Sequence, residues 1–281
     1  MSTQNVAGDT ETSGPVSLSG GGLMERDAAR ESSGALVMPA GEAMGASAVG
    51  SELNSSNAFL PRAGIDPATQ VAAKRLRTGR WGYRFAKRAF DIAFSLVVLA
   101  GLSWLFAAIA VAIKLDDPDG PVVFRQTRVG RDGREFRMYK FRSMVPDAEA
   151  RLGALRALNE KTGPVFKLHD DPRVTRVGRI IRKVSLDELP QFVNVLKGDL
   201  SVVGPRPALP SEVAAYDARQ RQRLSVKQGL TCYWQVQPDR DDITFDEWVD
   251  LDLRYIRECG PWVDLKVIAH TVVCVVAGRG H

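Results

Sequence analysis

The 281-residue sequence predicts an α-rich α+β fold on one face of a membrane, a monotopic protein with one re-entrant or spanning N-terminal helix and a small β-hairpin. Three observations carry that expectation. Ile92 to Ile113, IAFSLVVLAGLSWLFAAIAVAI, holds no charged residue. As a helix it would run about 33 Å at ~1.5 Å per residue, against a hydrocarbon core of ~30 Å. Two β-rich runs flank Gly130-Arg131-Asp132-Gly133, a hairpin signal. From Asp147 onward the apolar residues recur at helical spacing in several short segments. Apolar residues make up 44% and charged residues 25%, enough to build a core. The net charge of +5 points to anionic partners without choosing among them.

The chain divides into a disordered tail over 1–75, a basic segment with the membrane helix over 76–114, and a domain over 115–281. The tail is rich in Gly, Ser, Ala and Thr and shows neither a strand nor a helix period. Nor does it show the basic-then-apolar order of a secretory signal. Lys74, Arg75, Arg77, Arg80, Arg84, Lys87 and Arg88 follow, with Trp81, Tyr83 and Phe85 among them. Aromatic and basic side chains next to an apolar run suit the headgroup level of a bilayer.

Beyond the apolar run come Lys114, the acidic Asp116, Asp117 and Asp119, and then Arg125, Arg128, Arg131, Arg134, Arg137, Lys140 and Arg142. Positive charge on both flanks draws both ends to the cytoplasmic side, which a simple span does not satisfy and a bent helix does. Gly101 and Ser103 stand where that bend belongs. Further along, Asp147–Leu158 reads as a helix and Asp170-Asp171-Pro172 as a turn or N-cap. Gln191–Leu200 and Ser211–Leu224 read as helices, Trp234–Val236 as a short strand, and Phe245–Ile256 as a helix. Trp262–Val276 is apolar on most faces but too short to span, and reads as an interfacial helix.

The chemistry concentrates in Val184–Pro207, VSLDELPQFVNVLKGDLSVVGPRP. Asp187 and Glu188 stand side by side at its head, and Gly204-Pro205-Arg206-Pro207 close it. Arg173, Arg176, Arg179 and Arg182 recur every third residue just upstream. Arginines hold multiply charged phosphate, and a carboxylate among them can hold a metal or attack phosphorus. The plainer alternative is a charged helix end with surface ion pairs. Cys232, Cys259 and Cys274, with His169, His270 and His281, lack zinc-ligand spacing, and an odd cysteine count argues against a disulfide framework.

These blocks, in order, resemble the bacterial sugar transferases that load a phospho-sugar onto a polyprenyl phosphate, the monotopic phosphoglycosyltransferases. The resemblance runs from about Arg84 to Gly280 and includes KRAFDIAFSLVVL, GPVVFRQTRVGRDGREFRMYKFRSM, DPRVTRVGRIIRK, the Val184–Pro207 block and TFDEWVDLDLRYI. The multi-span N-terminal domain of longer members is absent, so the chain reads as the short, single-anchor form.

The resemblance implies that Asp187 attacks the sugar phosphate of a UDP-sugar, releases UMP and carries a covalent phospho-sugar. A polyprenyl (undecaprenyl) phosphate then takes that group, which starts assembly of exopolysaccharide, capsule or O-antigen. It further implies Mg²⁺ with Asp187 as ligand, Glu188 assisting as acid/base or orienter, and phosphate binding by Lys140, Arg142, Arg182 and Arg206. Membrane lipid is an expected partner and nucleic acid is not. A homo-oligomer is compatible with the sequence, which names no interface. The expected location is the bacterial cytoplasmic (inner) membrane, with the catalytic domain on the cytoplasmic face. Two positions depart from the family's pattern. Ser103-Trp104 stands where Ser-Pro is usual, and KQGLTCYWQVQPDRDD replaces a KPGLTGLW-like block. The first departure, with the unusual tail, motivates the alternative of a non-catalytic membrane adaptor.

Overall fold

The computed structural model describes residues 64–277 apart from 161, 162, 239 and 241. The expected tail over 1–63 lies outside the described residues. The rest of that expected tail enters helix α1, Pro67–Thr78, which crosses the boundary placed at residue 75. Asp66 caps α1 by accepting from the Ala68 amide at 3.0 Å, and Pro67 supplies a first-turn φ. Asp66 is buried and also pairs with Arg257 at 2.6 Å, so the helix start is tied to the far end of the chain.

The apolar run forms two helices, α2 (Trp81–Gly101) and α3 (Ser103–Asp116), bent by 60° at Leu102. No single helix among the described residues is long and apolar enough to cross a membrane; the bent pair passes only together. The break falls between Gly101 and Ser103 without a proline. The basic stretch differs from the sequence reading, because several of its cations are engaged with the protein. Arg80 donates to the Cys259 carbonyl at 2.6 Å and Lys87 pairs with Asp264 at 2.8 Å. Arg88 donates to the Val195 and Leu196 carbonyls at 2.5 and 2.7 Å, near the negative end of a later helix. One turn on, buried Asp91 accepts from Ser201 Oγ at 3.1 Å and the Val202 amide at 3.0 Å. One polar face therefore fastens the first half of α2, while Leu96, Val97 and Trp104 stay exposed around the bend. The end of α3 is protein core: Ile109 and Ile113 pack with Phe141 and Ile181.

The hairpin forms as expected from β1 (Val123–Val129) and β2 (Glu135–Phe141), in antiparallel register with Phe124 opposite Lys140 and Gln126 opposite Met138. Its turn needs left-handed backbone, taken by Asp132 at φ 60° and Gly133 at φ 77°. After α4 (Ala148–Leu155), Asp171 forms a turn that grips Arg173 through two bonds of 2.8 and 2.6 Å. The N-cap of α5 (Arg176–Lys183) is Thr175, which accepts from the Gly178 amide at 2.9 Å. Asp116, at the end of α3, accepts from the Val177 amide at 2.9 Å. That bond joins the apolar helix pair to the segment leading into the acidic dyad.

Helix α6 (Gln191–Lys197) stops at Gly198, whose φ of +90° gives the left-handed C-cap. A second, parallel sheet pairs β3 (Ser201–Val203) with β4 (Gly229–Thr231), an element absent from the sequence reading. The expected helix over Ser211–Leu224 breaks into α7 (Pro210–Ala214), α8 (Ala218–Arg221) and a 3₁₀ turn over Gln222–Ser225. The physical reason is Asp217, which restarts the helix as an N-cap bonded to the Gln220 amide at 2.7 Å. Trp234–Val236 is a 3₁₀ turn rather than a strand. Trp234 turns inward to stack on Trp248 at 4.1 Å. Helix α9 (Phe245–Glu258) opens with a Thr244–Glu247 capping box, and α10 (Pro261–Val276) follows.

Candidate active site

Ser185 stands in the left-handed region at φ 55°, where a residue with a Cβ is uncommon. It ends α5 and turns the chain into a 3₁₀ turn, Leu186–Glu188, that carries the dyad. Leu186 and Leu189 pack against the core formed by α3, β2 and α5, which fixes the turn from both sides. Asp187 is buried, and Glu188 is half-buried beside it. Lys140 reaches over both from β2, 2.6 Å from Glu188 Oε1 and 3.7 Å from Asp187 Oδ2.

Asn194, fully buried on α6, aligns strand and dyad. Its Oδ1 accepts from the Tyr139 amide at 3.0 Å and its Nδ2 donates to the Arg137 carbonyl at 2.7 Å. Burial raises the Asp187 carboxyl above the ordinary carboxylate range; Lys140 opposes this, Glu188 adds to it, and Arg182 opposes it.

A shallow cleft that Glu188 lines and Asp187 does not adjoins the dyad. Lys140, Glu188, Gln191, Arg206 and Arg128 line it, with Met138, Pro207, Gly229 and Leu230 as apolar walls. Arg206 arrives there through backbone pairing. The Val129 amide donates to the Ala208 carbonyl at 2.8 Å, and the Gly229 amide to the Pro205 carbonyl at 2.9 Å. The Arg206 guanidinium also lies 5.7 Å from the centre of the Trp234 ring.

The structure thus brings Lys140, Glu188 and Arg206 to one cleft, with Asp187 behind Glu188 and Arg182 close enough to act on its charge. It does not bring Arg142 to that cleft. Arg142 is buried against the loop after α3, donating to the Asp117 carbonyl and pairing with the Asp117 carboxylate at 3.5 Å. Its guanidinium occupies the space where a side chain on Gly120 would begin. The arginine stripe likewise divides. Arg173 is held by Asp171, Arg176 and Arg179 face solvent, and only Arg182 stands by the dyad.

Residues 82–278 match the family described as bacterial sugar transferase. The chain belongs to the bacterial sugar transferase family. Among relatives of this chain, the galactosyl transferase CpsE of Streptococcus agalactiae is 46% identical over 201 residues, covering 72% of this chain and 44% of the relative. The undecaprenyl-phosphate galactose phosphotransferase of Salmonella typhimurium is 42% identical over 204 residues, covering 70% of this chain and 42% of the relative. The exopolysaccharide production protein ExoY of Sinorhizobium fredii is 35% identical over 199 residues, covering 69% of this chain and 87% of the relative. The match therefore spans less than half the length of the first two relatives and most of ExoY.

Sequence reasoning passed over two residues that line the cleft, Arg128 and Gln191. Arg128 was legible in principle. Opposed residues of an antiparallel pair share a face, so the register that sets Phe124 against Lys140 also puts Gln126 and Arg128 on the Lys140 face. Gln191 carried no signal beyond its place three residues after Glu188.

The metal that the family resemblance implies fits the donors present. Among the described residues no cluster of three or more His, Cys, Asp or Glu exists. Asp187 and Glu188 are hard carboxylates of the kind Mg²⁺ takes beside substrate phosphate and water.

Proposed function

We propose that this transferase moves a sugar-1-phosphate from a UDP-sugar to a membrane polyprenyl (undecaprenyl) phosphate, releasing UMP, and so begins assembly of an exopolysaccharide, capsule or O-antigen-type glycan. The observation that carries the reading is the Asp187–Glu188 turn, with Asp187 buried, bridged by Lys140 and opening onto a cleft with two arginines. The relatives' names support it, since one is an undecaprenyl-phosphate galactose phosphotransferase.

An oxygen of Asp187 attacks the sugar-bearing phosphorus, and the bond from that phosphorus to the UMP oxygen breaks, its electron pair leaving with UMP. An oxygen of the polyprenyl phosphate then attacks the same phosphorus. The Asp187–phosphorus bond breaks, which restores the carboxylate and yields the polyprenyl diphosphate sugar. A carboxylate repels an anionic phosphate unless cations screen it, and Lys140, Arg182 and Arg206 supply that screening. Mg²⁺, held by Asp187 and Glu188, would supply further charge neutralisation at the diphosphate. Glu188 fixes Lys140 through their 2.6 Å bond, and so orients the cation nearest the nucleophile.

Membrane attachment belongs to the same reading. The bent α2–α3 pair, with Val97 and Trp104 exposed at the bend and Trp81, Phe85 and Trp262 exposed nearer the domain, suits re-entry from the cytoplasmic face of the inner membrane. Measuring UMP release from a panel of UDP-sugars, with and without polyprenyl phosphate and Mg²⁺, tests the reaction. One sugar is expected to give UMP, and Asp187→Asn to abolish release while melting as a folded protein. Full activity in that variant would end the nucleophile assignment.

A further inference from the structure

Arg128 is 8% exposed, and among the described residues no carboxylate is ion-paired to it. Its Nε and Nη2 donate to Gln126 Oε1 at 3.1 and 2.8 Å, and its Nη1 to the Pro207 carbonyl at 3.1 Å. Both acceptors are neutral. The other buried arginines of the fold are treated differently: Arg173 is gripped by Asp171, Arg223 by Asp252 at 2.7 Å, Arg142 pairs with Asp117 and Arg219 with Asp250. Arg128 instead shares a cleft with a second arginine, Arg206; burial and that repulsion lower its pKa to about 10, against the opposing pull of Glu212 and Glu188, neither of which is ion-paired to it. Burying a cation without a partner is costly, and setting a like charge beside it costs more. Both costs are recovered if an anion enters the cleft between them.

Position selects the anion. Under the reaction proposed above, the phosphate that is attacked must lie against Asp187, which is not among the cleft-lining residues. Glu188 and Lys140, which line the cleft, both adjoin Asp187. We infer that Arg128 and Arg206 form the subsite for the nucleotide's own phosphate, the one that departs in UMP, with Gln126 and the Pro207 carbonyl holding the Arg128 fork in place. The strand carrying Arg128 and the loop carrying Arg206 are joined by the Val129–Ala208 bond, so the two cations keep a fixed separation. The inference rests on the transferase reading for the identity of the anion, but its geometry does not.

UMP binding to the purified full chain tests it, read both by calorimetry and by the UMP-induced rise in Tm. Arg128→Met, which removes the charge, is expected to weaken UMP binding at least tenfold. Arg128→Lys, which keeps charge but loses the fork, should fall between. If Arg128→Met does not fold, Arg128→Lys decides alone through its affinity relative to wild type. A variant that folds and binds UMP within twofold of wild type overturns the inference, as does a wild-type chain that does not bind UMP. UMP release from UDP-sugars, measured on the same preparation, separates the two readings. Release with unchanged UMP affinity in the variants sinks the subsite alone. Absence of release with weakened UMP binding sinks the transferase reading and leaves the anion subsite standing.

Discussion

Lys140→Met removes the cation that bridges the dyad while leaving both carboxylates. Lys140 Nζ stands 3.7 Å from Asp187 Oδ2, with the side chains 19% and 9% exposed. Unit charges near this distance attract by about 4 kcal/mol at an effective dielectric near 20. Residual exposure and the mobility of a lysine stem lower that figure, and a rise in the Asp187 titration is expected. The sign follows from the native site. Burial already raises Asp187, Lys140 is the largest opposing influence, and its removal lets the carboxyl rise further. A nucleophilic Asp187 must be ionised, so the acid limb of kcat/KM for UMP release should move to higher pH.

Stability gives a second readout that needs no turnover. A carboxyl raised on folding keeps its proton to higher pH in the native state than in the unfolded chain. The stability it contributes is full below the unfolded value and is lost as pH rises through the native one. Lys140→Met should therefore lower Tm at neutral pH and converge on wild type in acid, where both carboxylates are protonated. An acid limb within about 0.2 pH unit of wild type, together with a Tm difference that does not vary with pH, would refute the claim that Lys140 tunes the dyad.

Two other outcomes follow from packing and exposure. A Cβ on Gly229 would fall 2.1 Å from the Gly204 amide nitrogen and 2.6 Å from the Val203 carbonyl carbon, both backbone atoms that cannot swing away. Gly229→Ala should cost about 3 kcal/mol and lower Tm by roughly 6–12 °C for a domain of this size. Because the loop carrying Arg206 hangs on this contact, UMP release should fall as well; an unchanged Tm would show that the sheet pair yields easily. Val97 and Trp104 are 69% and 68% exposed near the α2–α3 bend. Replacing both with Asp should cost about 3 kcal/mol per residue within a bilayer. The doubly substituted chain is expected to leave membranes in an alkaline carbonate wash that retains wild type, with the Ile109–Phe141 core intact. Equal retention would argue against insertion of the bend.

The sequence by itself determined the elements whose cause is local. The hairpin turn at Gly130–Gly133 follows from residues that accept left-handed backbone, and the helix over Phe245–Glu258 from its capping box and apolar spacing. The break in the apolar run at Leu102 lay beside the two residues that mark it, Gly101 and Ser103. The dyad was visible as two adjacent carboxylates, and the family as ordered blocks along the chain.

What only the tertiary structure decided was the sorting of like residues into different jobs. Every third residue from Arg173 to Arg182 is arginine, yet one is held by a neighbouring aspartate, two face water and one stands at the dyad. Arg142 and Arg128 look alike in sequence, each one arginine of the basic stretch around the hairpin. Asp117 claims the first, and no carboxylate among the described residues pairs with the second. Charge patterns are periodic along a chain, whereas a counter-ion is a neighbour in space supplied by another segment. The same holds for the parallel β3–β4 pair, which no local propensity marks, and which brings Gly204–Pro207 against the hairpin that carries Lys140.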